Sequence, residues 1–292
     1  MAHKAGFVNI IGNPNVGKST LMNSLVGEKM SIITSKAQTT RHRIMGIVNG
    51  EDFQMVYSDT PGILKPNYML QESMMKFANS ALVDADIILY VTDIFETYEQ
   101  NQAYIEKVVK KDVPVLLLIN KIDLSSQTEI EELSQMWQKY LPKAEIVLIS
   151  ALKKFNIDYV FDQILKILPE SPPYFPKDVL TDKTERFFVS EIIREKILEN
   201  YKKEIPYSVE MVVEEFKEEK EIIRIRTIIY VERESQKGIL IGHQGQALKK
   251  VGTHARLDME KFFDKKIFLE LYVKVSKDWR SKPKILRNFG YQ

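Results

Sequence analysis

The 292-residue sequence contains no cysteine, which excludes disulfides and thiolate metal sites and fits a reducing compartment. Its four histidines have no metal-ligand spacing, so we expect no zinc site. The first residues, MAHKA, form no apolar signal-peptide core, and no apolar run approaches the ~20 residues that a membrane span needs. We therefore expect neither a signal peptide nor a transmembrane helix.

One motif is far more specific than the composition. Residues 12–19 read GNPNVGKS and match G-x-x-x-x-G-K-[ST], the phosphate-binding loop. An apolar run precedes the motif and a helical pattern follows it, as the motif requires. Lys18 is expected to reach the β- and γ-phosphate oxygens, and Ser19 to ligate Mg²⁺. Together with Thr20, the predicted phosphate site comprises Gly12, Asn13, Pro14, Asn15, Val16, Gly17, Lys18, Ser19 and Thr20.

The residues NKID at 120–123 end an apolar run about a hundred residues after the phosphate loop. The Asp123 carboxylate can accept hydrogen bonds from N1–H and the exocyclic amine of guanine, whereas adenine offers no matching donors. Asn120 is expected to hold the loop and approach the ring, with the Lys121 stem covering the ring face. These residues predict a guanine nucleotide.

Two further segments complete the predicted nucleotide site. The DTPG motif at 59–62 places Asp59 for a water-mediated Mg²⁺ contact and the Gly62 N–H for the γ-phosphate. After a later strand, residues 150–152 could support the base with main-chain N–H groups. The residues predicted here are Asp59, Thr60, Pro61, Gly62, Ile63, Ser150, Ala151 and Leu152.

The length of the chain favours two domains. Strand-like runs alternate with helical patterns to about residue 168, which predicts a doubly wound, mainly parallel α/β sheet with ligands at the carboxyl ends of its strands. The segment PESPPYFP at 169–176 has four prolines and predicts a stiff, extended connector. We assign residues 1–168 to the GTPase domain, 169–186 to the linker and 187–292 to a second domain.

Charge differs between the two parts of the chain. Residues 237–292 carry a net charge of +8, whereas residues 1–236 carry −6. A G-x-x-G sequence lies in the basic part, between helical patterns and after two strand-like runs, and such a loop lets a nucleic-acid backbone approach closely. The residues predicted to bind RNA are Ile241, Gly242, His243, Gln244, Gly245, Lys249, Lys250 and Arg256. A solvated charged face remains the alternative.

Together these motifs resemble the Era family, bacterial GTPases with a C-terminal K-homology (KH) domain, over essentially the whole chain. The resemblance is carried by residues 12–20, 38–43, 59–62, 120–123, 150–151, 241–245 and 273–275, and by Trp279, Leu286, Arg287, Gly290 and Tyr291. One departure is Asn13, where many relatives carry Arg.

The resemblance implies a P-loop GTPase fold followed by an α+β type II KH fold with a C-terminal helix. It implies binding of GTP and GDP, and binding of small-subunit (16S) rRNA near its 3′ end, as a switch in 30S ribosomal subunit assembly. It also implies a cytoplasmic location with peripheral association with the cell membrane. We expect a monomer.

The motifs also predict how GTP would be hydrolysed. Ile63 stands where many GTPases carry the Gln that orients water, and no side chain of the motifs is an evident base, so slow hydrolysis is expected. Lys18, Asp59 and Gly62 act by electrostatics and positioning, and similarity to related switch loops favours Thr40 over Thr39 as a Mg²⁺ ligand. By analogy with related GTPases, Asn15 is a candidate K⁺ ligand. The alternative is that Asn15 only stabilises its loop.

Two other functions share some of these features. A GTPase of tRNA modification, or one acting on another RNA, would share the nucleotide motifs but should not need the basic C-terminal part. A membrane-surface switch would use residues 237–292 to bind anionic lipid, although their loop, helix and strand pattern favours a folded module.

Overall fold

The computed structural model describes residues 2–291, and for Ala103 the backbone alone. Its contacts divide the chain into two units. The first unit contains the residues up to Lys65 and Met74–Asp182, and the second contains Pro66–Ser73 and the residues from Lys183 onward. Within residues 2–291, no helix is long and apolar enough to cross a membrane.

The first unit is built on a six-stranded sheet with the order β2-β3-β1-β4-β5-β6. Strand β2 is antiparallel to β3, and the other neighbours are parallel. The strands are β1 (Lys4–Ile11), β2 (Ile44–Asn49), β3 (Phe53–Asp59), β4 (Ile87–Asp93), β5 (Val115–Asn120) and β6 (Glu145–Leu148). Strand β4 is buried along its whole length, as in a sheet covered on both faces.

Helices connect these strands. They are α1 (Lys18–Val26), α2 (Met69–Val83), α3 (Tyr98–Val109), α4 (Gln127–Tyr140) and α5 (Ile157–Ile167). Local sequence fixes several of the helix starts. Ser126 accepts a hydrogen bond from the Glu129 N–H while the Glu129 side chain reaches back, which forms a capping box at the start of α4. This connectivity brings the carboxyl ends of β1, β3, β4 and β5 to one edge of the sheet.

The proline-rich segment is extended and bonded to the first unit. The Gln54 amide bonds main-chain groups of Tyr174 and Phe175, at 2.7 Å to the Tyr174 nitrogen. The Ile47 N–H donates to the Leu180 carbonyl at 2.8 Å. Two features differ from the sequence reading: residues 169–182 fold with the first unit, and the next helix begins at Glu185 instead of 187.

The second unit has a three-stranded sheet with the order β7-β8-β9 and helices packed on it. Its elements are α6 (Glu185–Asn200), β7 (Glu210–Glu218), β8 (Ile222–Val231), α7 (Glu234–Ile241), α8 (Gln246–Phe263), β9 (Lys266–Val275) and α9 (Pro283–Asn288). Strand β8 is antiparallel to β7 and parallel to β9. The order of helix, two strands, two helices and strand is the one expected of the type II KH fold.

The last residues of the chain are anchored to the second unit. Trp279 is fully buried, and its indole N–H donates to the Ser208 carbonyl at 3.0 Å. The Tyr291 hydroxyl donates to Glu210 Oε2 at 2.7 Å. Both aromatic side chains therefore act as packing anchors in this fold.

Candidate functional site

A cavity of about 570 Å³ opens at the carboxyl edge of the six-stranded sheet. All five predicted nucleotide segments contribute to its lining: the phosphate loop, the 59–62 loop through Gly62, the 120–123 loop, the 150–152 loop and, through Thr40, the switch segment (residues 38–43). The predicted residues at its wall are Pro14, Asn15, Gly17, Lys18, Ser19, Thr20, Thr40, Gly62, Asn120, Lys121, Asp123, Ser150, Ala151 and Leu152. A single site therefore collects residues spread over more than a hundred positions.

The other predicted residues lie behind this wall. Asp59 and Thr60 are fully buried, and the Thr60 hydroxyl donates to the Ile10 carbonyl at 2.8 Å, which ties the 59–62 loop to β1. The predicted residues outside the lining are Gly12, Asn13, Val16, Asp59, Thr60, Pro61 and Ile63. These residues support the loops that form the wall.

The glycines of the phosphate loop are required by shape. Gly12 has φ +153° and Gly17 has φ +98°. A Cβ on Gly12 would lie 2.1 Å from the Val91 carbonyl oxygen, and a Cβ on Gly17 would lie 2.2 Å from the Asn120 amide nitrogen. Glycine permits both the positive φ angles and this close packing against β4 and β5.

The Lys18 ammonium is buried beside the loop that it must serve. Its Nζ donates to the Asn13 carbonyl at 2.7 Å. Burial lowers the pKa of Lys18 to about 8, against the opposing effect of the carboxylates of Asp59 and Glu96. A phosphate would supply the negative charge that this buried ammonium needs.

The three predicted Mg²⁺ ligands meet at one point. The Ser19 hydroxyl donates to Asp59 Oδ2 at 2.6 Å, and Thr40 Oγ1 lies 3.0 Å from Ser19 Oγ and 3.3 Å from Asp59 Oδ2. Within the described chain, the buried Oδ1 of Asp59 has no hydrogen-bond partner, and burial raises the pKa of this carboxyl. Two hydroxyls and a carboxylate are the hard oxygen donors that fit Mg²⁺.

The 59–62 loop lies directly against the phosphate loop. The Ile63 N–H donates to the Gly12 carbonyl at 3.2 Å, and a Cβ on Gly62 would lie 2.7 Å from the Pro14 backbone. The Ile63 side chain packs against the core cluster that α3 and α4 share with β4 and β5. Asp123 is the only carboxylate among the described residues that line the cavity, so no acidic side chain there can serve as a base near the phosphates.

Asn120 joins three loops of the site. Its amide donates to the Val16 carbonyl at 2.8 Å, and its Oδ1 accepts from the Ala151 N–H at 2.9 Å. The Ala151 N–H was expected to support the base, but in this structure it holds Asn120. Lys121, in a left-handed conformation with φ +63°, donates to Asp93 at 2.5 Å. Its stem is thereby fixed at the cavity wall.

Sequence reasoning missed part of the wall. The additional residues are Ile32, Ile33, Thr34, Ser35, Lys36, Gln38, Thr39, Phe95 and Leu124. Of these, Gln38 and Thr39 belong to the switch segment. Phe95 lies near the Lys121 ammonium and is 66% exposed, which makes it a candidate for covering the base. No motif marks Phe95, because only the turn after β4 brings it to the pocket.

The second unit has a groove of about 370 Å³ beside its glycine loop. It lies between α8 and β9 and is lined by Gly245, Leu248, Lys249, Gly252, Thr253, Arg256, Leu269 and Leu271. Its leucines provide an apolar floor, and Lys249 and Arg256 provide positive charge. This combination suits unstacked bases with an adjoining phosphate backbone. The two leucines of β9 were not predicted, because only the sheet places them beside α8.

The glycine loop has the backbone that its sequence predicts. Gly242 has φ +74° and Gly245 has φ +75°, and Gln244 between them is also left-handed at φ +48°. A Cβ on Gly242 would lie 2.6 Å from the Ala247 Cβ, whereas nothing lies within 4 Å of a Cβ on Gly245. Gly245 therefore leaves open space where a backbone can approach.

Five of the predicted RNA-binding residues lie outside this groove. They are Ile241, Gly242, His243, Gln244 and Lys250. Ile241 is partly buried and packs against the core of the second unit. Lys250 is exposed on α8 and adds charge next to the groove.

Comparison with known proteins identifies the family. Residues 7–121 match the family described as 50S ribosome-binding GTPase, and residues 204–280 match the KH domain family. GTPase Era of Syntrophus aciditrophicus is 48% identical over 99% of this chain and 95% of its own length. The chain belongs to the Era family of GTPases. GTPase Era of Staphylococcus haemolyticus is 46% identical over 99% of this chain and 97% of its own length.

Solved Era structures share the fold of the whole chain. Era in complex with MgGDPNP and nucleotides 1506–1542 of 16S ribosomal RNA has a TM-score of 0.94 and 40% identity, with 99% of both chains covered. An Aquifex aeolicus Era variant bound to GDP·AlF4⁻ has a TM-score of 0.93 and 41% identity, also with 99% of both chains covered. The predicted P-loop GTPase fold followed by a KH domain is confirmed.

Proposed function

We propose that this Era-family GTPase binds small-subunit rRNA near its 3′ end and acts as a GTP-controlled switch in assembly of the small ribosomal subunit. The observation that carries the proposal is the basic, leucine-floored groove beside the glycine loop. The Era relative solved with nucleotides 1506–1542 of 16S rRNA supports the same type of ligand. In this proposal the first unit, with residues 169–182 folded onto it, is the GTPase domain, and the residues from Lys183 onward form the RNA-binding domain.

GTP hydrolysis is assigned to electrostatic stabilisation and positioning. The Lys18 ammonium and the N–H groups of the phosphate loop would face the phosphates of bound GTP, where negative charge develops in the transition state. Ser19, Thr40 and Asp59 would hold Mg²⁺, which neutralises phosphate charge when bound. Because the Ile63 side chain cannot orient water and no acidic side chain lines the cavity near the expected position of the phosphates, intrinsic hydrolysis should be slow.

The switch is assigned to the segment around Thr40. In the structure its hydroxyl already contacts the Ser19 and Asp59 side chains. Binding of GTP would add the γ-phosphate to this cluster, and hydrolysis would remove it, so that the segment is ordered in one state and released in the other. Tighter RNA binding with GTP than with GDP is the expected consequence.

RNA binding should depend on open space at Gly245. We expect Gly245→Asp to weaken binding of a small-subunit rRNA 3′-end fragment at least ~10-fold, because a carboxylate would face the phosphate backbone. Gly242→Asp is a poorer test, because its Cβ would collide with Ala247. Filter binding with GDP, with a non-hydrolysable GTP analogue and without nucleotide measures the effect.

The matched control is Gly27→Asp. Gly27 has φ +83°, and nothing lies within 4 Å of its Cβ position, so it shares both properties with Gly245. Equal loss of binding in both variants would contradict a specific role for the glycine loop. If a pull-down recovers a different RNA, that RNA becomes the assigned ligand. If the protein floats with anionic liposomes and added RNA does not displace it, the assigned ligand becomes lipid.

Potassium is proposed as an aid to hydrolysis, held beside the phosphates by the Asn15 side chain. Asn15 is exposed, lines the cavity and has φ +66°, so glycine can replace it without strain. We expect wild-type hydrolysis to be about 10-fold faster in K⁺ than in Na⁺ at matched ionic strength, because a bound K⁺ would add one positive charge beside the phosphates and stabilise the transition state. Asn15→Gly should abolish the difference, and equal wild-type rates in both salts would exclude the role.

For location, we propose the cytoplasm, with a peripheral contact to the inner face of the cell membrane made by a monomer. The support is the family resemblance and the basic charge of residues 237–292. Cell fractionation and the liposome flotation above are the measurements, and sedimentation of the purified chain tests the monomer.

A further inference from the structure

A polar network lies behind the phosphate loop, outside the residues that line the cavity. Asn101 on α3 is its centre: its Oδ1 accepts from the Asn13 amide at 2.9 Å and from the Tyr90 hydroxyl at 2.7 Å. The Asn101 amide donates to the Thr97 carbonyl at 2.9 Å and approaches Glu96 Oε2 at 3.5 Å. None of the nucleotide motifs includes Tyr90, Glu96, Thr97 or Asn101.

The centre of this network is out of contact with water. Asn101 is 2% exposed, and Tyr90 and Thr92 are fully buried. The Thr92 hydroxyl donates to Glu96 Oε2 at 2.9 Å, and burial raises the pKa of the Glu96 carboxyl despite its hydrogen bonds. Buried polar groups are tolerated only when their partners are well placed, so the network holds its members in one arrangement.

The network is connected to the Lys18 ammonium through one residue. The Asn13 side chain is bonded to Asn101, while the Asn13 carbonyl accepts from Lys18 Nζ at 2.7 Å. The Glu96 carboxylate also places negative charge near the Lys18 ammonium and attracts it. Both effects hold the Lys18 side chain at a fixed point of the phosphate loop.

We propose that Glu96 and Asn101 are positioning residues, which hold Asn13 and thereby hold the Lys18 ammonium where charge develops during hydrolysis. The inference rests on the GTPase mechanism proposed above and extends it to two residues, Glu96 and Asn101, that lie outside the cavity lining. An alternative is that the network only stabilises the packing of α3. The two roles differ in kinetics, because a positioning residue acts more on the transition state than on bound substrate.

The principal test is Glu96→Gln, which keeps the shape and the acceptor oxygen but removes the charge. We expect kcat to fall about 10-fold while KM for GTP changes less than about threefold, because the misplaced ammonium matters most as charge develops. Asn13→Ala should likewise lower kcat more than it changes KM for GTP. The matched control is Glu106→Gln on the exposed face of α3, which should match wild type in both constants.

A double-mutant cycle separates positioning from folding. If Glu96 acts through Lys18, then Glu96→Gln should have little further effect on single-turnover hydrolysis in a Lys18→Ala background. The same 10-fold loss in both backgrounds would overturn the proposal, as would unchanged kcat with a lowered Tm. Absence of GTP hydrolysis in wild type would instead contradict the proposed mechanism, so the two failures are distinguishable.

Discussion

Replacing Lys18 with alanine is expected to lower kcat for GTP hydrolysis by a factor of about 10²–10³, the cost of removing one preorganised donor from a site of this kind. Lys18 is the only lysine of the phosphate loop, and its ammonium is buried against the Asn13 carbonyl. Single-turnover assays at saturating GTP measure the effect. Lys139→Ala, on the exposed surface of α4, is the control and should match wild type.

The pH dependence of nucleotide binding provides an independent check on Lys18. In the free protein its pKa is lowered to about 8, so the ammonium loses its proton as pH rises through 8. The neutral amine attracts phosphate less, whereas bound phosphate favours the proton. Affinity for GDP should therefore be level below pH 8 and fall above it, and this fall should be absent in Lys18→Ala. For the kinetic prediction, a kcat of Lys18→Ala within threefold of wild type would contradict the role of Lys18 in stabilising charge during hydrolysis.

Asp123→Asn is expected to weaken GDP binding by about 10²–10⁴, because two hydrogen bonds to a charged acceptor are lost at ~1.5–3 kcal/mol each. The same change should create affinity for XDP, because xanthine carries a carbonyl where guanine has its amine and the new amide can donate to it. Competition of GDP and XDP against a fluorescent nucleotide measures both effects.

The control for this substitution is Asp162→Asn on the exposed face of α5. It removes the same charge from the same unit without touching the cavity lining, so GDP affinity should be unchanged. GDP binding within threefold of wild type in Asp123→Asn would show that another group reads the base. In that case Ser150 and Leu152, which also line the cavity, would be the next residues to test.

The fold could be predicted because the sequence is consistent at several levels. Apolar runs end in the phosphate loop, in 59–62 and in 120–123, and parallel strands bring such ends to one edge of a sheet. Glycines 12, 17, 242 and 245 indicated backbone conformations that are unfavourable for other residues, and all four have positive φ in the structure. Their local conformational requirement does not depend on the rest of the chain.

Other features depend on residues that are distant in sequence. Glu96 belongs to the turn after β4 and Asn101 to α3, and neither is part of a motif. They approach Asn13 only because α3 packs beside β1 and β4. The leucines of β9 read as ordinary strand residues, but pairing with β8 places them opposite α8 as the floor of a groove. Phe95 likewise reaches the cavity through the turn after β4.

The sequence by itself determined the chemistry of this protein. The phosphate loop, the carboxylate predicted to read guanine and the glycine loop are local arrangements whose proposed function follows from residue type and spacing. Tertiary structure alone decided which residues support them: Asn120 between three loops, Asn101 behind Asn13, and β9 beside α8. The physical reason is that hydrogen bonds and apolar contacts between remote segments depend on packing, which no local pattern specifies.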